Sequence, residues 1–190
     1  MPFLQLFAAV LNDPRTDFDM RGDHLPLGLT PQRRVAPLTR RFNAGAARAT
    51  PSAMKIHTAE IVVRTEQARQ LVDITAEARA VVDRSGVREG LCSLYAQGAT
   101  AALMVQENDD PNIATDVLGC LAELVPAGKW LHDRIDHNGA AHIQAGIVGP
   151  SETIPIRGGE LGLSRWQNVF LCDFDGPRAR RTVLVTIIGT

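Results

Sequence analysis

Long hydrophobic runs are missing from this chain of 190 residues. Its most apolar stretches, such as Thr182 to Ile188, fall far short of the roughly 20 residues that a membrane helix requires. That argues against a helical span and against a membrane partner. A dominant charge is missing too: 20 Lys and Arg stand against 21 Asp and Glu, a formal net charge of -1. A nearly neutral chain has no bulk attraction for phosphate backbones, so no nucleic-acid partner is expected. Cysteine is scarce. Cys92, Cys120 and Cys172 lie among apolar neighbours and share no C-x-x-C spacing. This argues against a disulfide framework or a thiolate metal site and predicts buried free thiols in a reducing, cytoplasmic setting. Internal repeats are absent as well.

What is present suits one ordinary globular domain with an appendage: 45% of residues are apolar, and the chain divides near Met54. Residues 1–55 carry eight Lys or Arg and four Asp or Glu, against twelve and seventeen in residues 56–190. Pro14, Pro26, Pro31, Pro37 and Pro51 break any periodicity in the first part. With a single apolar patch, Phe3 to Leu11, residues 1–54 bury too little surface to fold alone and are expected to form a disordered or loosely packed extension. A signal peptide does not fit, because Asn12, Asp13 and Pro14 follow the apolar patch where a small-residue cleavage site belongs. An organelle import leader and a working start at Met54 both remain open. Residues 55–190 are expected to be the folded domain.

From Lys55 the punctuation is regular. Ile56 to Thr65 and Gln70 to Ile74 read as strands. Thr75 then precedes a helix of about ten residues that stops at Gly86. Leu91 to Ala96 reads as a buried strand. Asp110 followed by Pro111 is a helix start, and Ile113, Val117, Leu118, Leu121 and Leu124 mark one apolar face up to Pro126. The segment around His132 to His142 reads as loop. Five strands then follow: Ile143 to Val148, Thr153 to Ile156, Glu160 to Leu163, Asn168 to Cys172 and Thr182 to Ile188, with a turn at Gly158-Gly159. Strands that cluster at the end, after two helices, predict an α+β fold with a largely antiparallel sheet.

The chemistry-bearing residues concentrate between Gln106 and His142. Glu107, Asn108, Asp109 and Asp110 come first, then His132, Asp133, Asp136, His137, Asn138 and His142. These types suit either cation binding or acid/base work. His132, His137 and His142 are spaced five and five, so a metal site competes here with a merely polar, solvated loop. Capping explains Asp109 and Asp110. Glu107 follows the apolar run Ala101 to Val105, where burial would suit a carboxylate to general-base catalysis. A second constellation joins Gly149, Pro150 and Ser151 to Arg178, Arg180 and Arg181, which together could hold a phosphate. The alternative is two ordinary turns.

The ordered series ATAAL at Ala99 to Leu103, QENDDP at Gln106 to Pro111, His132-Asp133, N-x-x-x-H at Asn138 to His142, GPS-x-x-IP from Gly149, L-x-L-x-x-W-Q from Leu161 to Gln167 and DFDGPR from Asp173 resembles the YjbQ-like family. The match runs from about Ile56 to Gly189. The resemblance implies a compact α+β homotrimer that binds a small phosphorylated metabolite. It also implies a weak thiamine-phosphate synthase activity, which joins hydroxymethylpyrimidine diphosphate to thiazole phosphate with release of diphosphate. By that similarity Glu107, His142 and Asn138 form the catalytic set, and Ser151, Arg178 and Gln167 hold the substrate's phosphate. His132, His142 and His137 would be ligands of a divalent ion, zinc or magnesium. One departure stands out: many members carry a histidine where this chain has Gly98, which removes one imidazole from such a site. A non-catalytic metabolite-binding trimer, or another transferase or hydrolase of phosphorylated metabolites, is the alternative.

Overall fold

A computed structural model of the chain describes residues 53–190. The expected extension, apart from Ala53 and Met54, lies outside the described residues. The elements follow in the order β1 (Lys55–Thr65), β2 (Gln70–Asp73), α1 (Thr75–Ser85), β3 (Glu89–Gln97), β4 (Ala101–Glu107) and α2 (Asn112–Leu124). A 3₁₀ turn (Leu131–Arg134) comes next, then α3 (Gly139–Val148), β5 (Ser151–Arg157), β6 (Glu160–Leu161), β7 (Gln167–Asp173) and β8 (Arg178–Gly189). The architecture is α+β, as the strand-rich C-terminal half predicts.

The strands form two antiparallel sheets, ordered β1-β8-β3-β5-β6 and β2-β7-β4. Alternation decides what each face meets. On β1, Ile61, Val63 and Thr65 point inward while Ile56 and Val62 face out, as the period of two requires. The small sheet is covered on both sides. Leu103, Val169 and Leu171 pack against the large sheet and α1, whereas Ala102, Phe170 and Cys172 pack against Leu121 of α2 and Ala141 and Ala145 of α3. Large sheet, small sheet and a helical layer therefore stack in that order.

The segment Ile143 to Val148 belongs to a helix, not to a strand. Its β-branched residues invite the strand reading, but Ala141, Gln144 and Ala145 recur at helical spacing and are the positions that bury. Contact with the small sheet outweighs the local preference of Ile143, Ile147 and Val148. α2 begins at Asn112 with Pro111 in the N-cap position, one residue later than the Asp110-Pro111 start implies, and Asp110 Oδ1 accepts the Asn112 N–H at 2.9 Å just ahead of it. At α1 the N-cap position is Ile74 and Thr75 is already helical; Asp73, just before it, accepts both the Thr75 N–H at 2.9 Å and its hydroxyl at 2.6 Å on Oδ1. Gly86 ends α1 in the left-handed region at φ 62, as a C-terminal glycine should. Gly158 and Gly159, both at positive φ, make the two-residue turn between Arg157 and Glu160.

Candidate functional site

One end of the two-sheet sandwich is tied by a buried ion pair. Asp173, the last residue of β7, is fully buried and receives Arg181 of β8 through a two-point contact, Nε to Oδ2 at 3.0 Å and Nη2 to Oδ1. Thr65 of β1 donates its hydroxyl to Asp173 Oδ2 at 2.6 Å, and Arg181 Nη2 also reaches Thr100 Oγ1 at 3.0 Å. Burial is the largest influence on Asp173 and pushes its carboxyl up. The Arg181 and Thr65 hydrogen bonds and the Asp175 backbone N–H together outweigh it, so the carboxyl sits below its ordinary value.

This network fixes the turn that follows. Asp173 Oδ1 accepts the Asp175 N–H at 3.0 Å, and Thr65 Oγ1 accepts the Arg178 N–H at 2.9 Å. Asp175 is thereby held where its Oδ2 accepts from Asn138 Nδ2 at 3.1 Å and from Arg178 Nη2 at 2.5 Å. Asn138, Asp175 and Gly176 border an open cleft of about 450 Å³ between α2, α3 and the β7–β8 turn. Ala122, Val125, Ala141 and Phe174 give it an apolar wall, and Arg69, His137 and Gln144 add polar groups. His137 holds φ 57, an uncommon value for a residue with a side chain and a feature that gathers at functional sites.

The expected residues are distributed over this frame, and only some of them meet. His137 and Asn138 both line the cleft, and Arg178 is tied to Asn138 through Asp175 at its edge. His132 and His142 contact each other edge to face, with ring centroids 4.7 Å apart. Within the described residues, no three His, Cys, Asp or Glu side chains converge as metal ligands. The expected trio of His132, His137 and His142 therefore does not fit a three-imidazole site within one chain. Asp133 has a structural task in this region. Its carboxylate, held below the ordinary range first by the Trp130 N–H and also by that of Gly139, pins the start of α3.

Glu107 and Gln167 lie elsewhere. They pair with each other, while Ala101 and Asp173 pair at the opposite end of the same two strands, roughly 20 Å away over six residues. Glu107 Oε1 accepts the N–H groups of Asp109 and Asp110 at 2.8 and 2.9 Å, so it shapes the entry to α2. Beside it Asp73 Oδ2 gathers Asn108 and Asn168 at 2.8 and 2.6 Å. Gln167 Oε1 accepts the Ser164 N–H at 2.9 Å. Ser151 aligns with Tyr95, and Tyr95 with Leu184, six residues along β8 from Arg178. The expected phosphate set of Ser151, Arg178 and Gln167 is therefore not assembled within one chain. Neither do the three arginines cluster: Arg178 holds Asp175, Arg180 holds Glu60 at 3.1 Å, and Arg181 is buried on Asp173.

Residues the sequence reading passed over include Asp173, Asp175 and Gln144. Both aspartates stand in DFDGPR, and the inward register of β7 was the signal that Asp173 is buried. Of the cysteines, Cys92 and Cys172 are buried as expected, and burial pushes their thiols up to about 11 and about 12. Cys120 is exposed, because it falls on the solvent side of α2, one position short of the inward Leu121. No helix among the described residues is long and apolar enough to cross a membrane.

Comparison with known proteins agrees with the fold. A family model described as UPF0047 protein YjbQ-like matches residues 59–190. A UPF0047 protein of Methanothermobacter thermautotrophicus is 33% identical over 137 residues, covering 72% of this chain and 94% of that protein. One from Methanocaldococcus jannaschii is 37% identical and covers 67% of this chain and 91% of its own length. Among solved structures, a YbjQ-like protein of unknown function from Sulfolobus solfataricus superposes with a TM-score of 0.71 at 34% identity, covering 73% of this chain and all of that one.

Proposed function

The chain belongs to the YjbQ-like UPF0047 family, and from that membership and the cleft we propose that it binds a small phosphorylated metabolite between α2, α3 and the β7–β8 turn. The observation that carries the reading is the chain of contacts from the buried Asp173–Arg181 pair through Asp175 to Asn138 and Arg178. It anchors the polar edge of a cleft whose other wall is apolar, the composition typical of small-ligand sites. Arg178 and Arg69 supply positive charge for a phosphate or diphosphate. Val125 and Phe174 supply a surface for a flat ring.

The specific activity we assign is thiamine-phosphate synthase-like transfer. The C–O bond between the pyrimidine's methylene and its diphosphate breaks, with the electron pair leaving on diphosphate oxygen. The thiazole nitrogen lone pair forms the new C–N bond, giving a thiazolium and free diphosphate. Arg178, already oriented by Asp175, would stabilise the charge that develops on the departing oxygen. Asn138 would orient the ring. The test is diphosphate release by the full chain given hydroxymethylpyrimidine diphosphate and thiazole phosphate. Turnover that falls on the order of 100-fold in Arg178→Ala supports the reading, and absence of diphosphate release overturns it.

A second reading, a non-catalytic binding protein, is favoured by the distance of Glu107 from the cleft, which leaves that carboxylate without a substrate to act on. Under it, the same phosphorylated compounds raise the melting temperature and no product forms. We also propose a homotrimer. Its support is the outer face of the large sheet, where Ile56, Ile188, Leu91 and Pro155 form one cross-strand row. Ile56 is 71% exposed and Leu91 49%, an apolar face suited to burial against another copy.

A further inference from the structure

Two residues that line the cleft each carry a buried acceptor oxygen with no donor. Gln144 is 1% exposed, and its Nε2 donates to the carbonyls of Leu121 and Val125, both at 3.1 Å. Those oxygens only accept, so the amide cannot be flipped, and Oε1 must point away from them. Asn138 is constrained in the same way: its Nδ2 faces the Asp175 carboxylate, so the other end of its amide is oxygen. Asn138 Oδ1 and Gln144 Oε1 are both buried without a hydrogen-bond partner. They are the two such side-chain atoms found among the described residues, and both belong to residues lining one cleft.

Buried acceptors are nearly always satisfied, and this coincidence has a consequence for what the cleft takes. Resting on the reading of the cleft as a metabolite site, we propose that Gln144 and Asn138 are its specificity-determining residues. They select a flat, neutral group that offers N–H donors, an aminoheterocycle, to their unpartnered oxygens. The ring lies on Val125, Ala141 and Phe174. Asn138 stands at the start of α3 and its amide is anchored at one point, Asp175, so a rotation about that contact brings Oδ1 to the ligand. Gln144 has two anchors that set the orientation of its amide, and its oxygen, closed to solvent in the unliganded cleft, is uncovered as the ligand enters. Acceptors alone discriminate against ring carbonyls and bare carboxylates at this depth, since oxygen facing oxygen leaves both unpaired. The positive charge of Arg69 in the same lining disfavours a cationic group and leaves the neutral amine as the fitting donor.

The test compares 2-aminopyrimidine with 2-methylpyrimidine, which has the same shape without N–H donors, by saturation-transfer NMR and calorimetry on the full chain. The expected result is binding of the amine tighter by about tenfold, the equivalent of one satisfied buried acceptor. In Gln144→Lys the ammonium can still donate to Leu121 and Val125 while the acceptor is gone, and the preference should fall toward one. Asn138→Ala, which leaves the α2 carbonyls untouched, should reduce it as well and guards against misfolding of the lysine variant. Equal binding of both pyrimidines to the wild type overturns the selectivity and implies that water satisfies the two oxygens, while the cleft itself stands as a ring site. Binding of neither pyrimidine, together with no stabilisation by inorganic diphosphate, overturns the metabolite reading along with the inference.

Discussion

Removal of the Arg181 side chain tests the frame on which the cleft is built. In Arg181→Met the apolar volume is largely kept, but Asp173 loses both of its guanidinium contacts and stays fully buried at the junction of three strands. With side chains 9% and 0% exposed, solvent screens the pair little. Breaking such a pair from one side costs about 3–5 kcal/mol. For a chain of this size that is a fall in melting temperature of roughly 10–15 °C, and urea titration should show a lower midpoint at unchanged slope. The pH dependence gives a second reading. Asp173 has a depressed folded-state pKa in the wild type, so its stabilisation is present above the unfolded-state value of about 4 and is lost as pH falls through the folded-state value. In Arg181→Met the balance reverses: burial now dominates, the folded-state pKa is raised, and the variant should gain stability relative to wild type as pH drops from 7 toward 5. The double variant Asp173→Leu/Arg181→Met should recover most of the loss, because no unpaired charge is left. A single variant within 1 kcal/mol of wild type, or one whose stability does not rise relative to wild type on acidification, would refute the reasoning.

Gly90→Ala should be among the most damaging single-methyl changes, since a Cβ there would lie 2.1 Å from the Ile188 carbonyl oxygen on the neighbouring strand. Loss of soluble protein or a drop of more than about 3 kcal/mol in urea titration checks it. At Gly98, φ is 140 and a Cβ would stand 3.1 Å from Arg181 Nη1, so Gly98→Ala should cost about 1–3 kcal/mol, measured the same way. Thiol labelling under native conditions should modify Cys120 quickly and leave Cys92 and Cys172 untouched until the protein unfolds, because burial holds their pKa values at about 11 and about 12. Mass spectrometry of the labelled peptides reads that order directly.

The fold was largely legible from alternation and punctuation, because each β-strand here has one face that must be buried. β1, β5 and β8 alternate, Gly158-Gly159 spells out a hairpin turn, and Gly86 closes α1. The failure at Ile143 to Val148 has a physical cause: a short helix whose inward face is Ala141, Gln144 and Ala145 leaves its β-branched residues as the visible signal, and only the small sheet beneath reveals which face is apolar. The candidate site was legible by residue type more than by position. Asn138 and His137 line the cleft, and Arg178 reaches its edge through Asp175. Glu107 belongs to the same Gln106 to His142 segment as Asn138 and His137, yet it pairs with Gln167 at the far end of β4 and β7. Strand direction separates them, and strand pairing is a property that spacing along the chain does not carry. Gln144 escaped notice because an amide amid apolar residues acquires its meaning from the two carbonyls of α2 that consume its donors.

A crystal structure of the full chain grown with thiamine phosphate tests the central claim most directly. The account predicts density in the cleft, with the pyrimidine amine facing Asn138 and Gln144, a ring against Phe174 and the phosphate beside Arg178. Ligand density beside Glu107 and Gln167 with an empty cleft would contradict it, as would no bound ligand at saturating concentration.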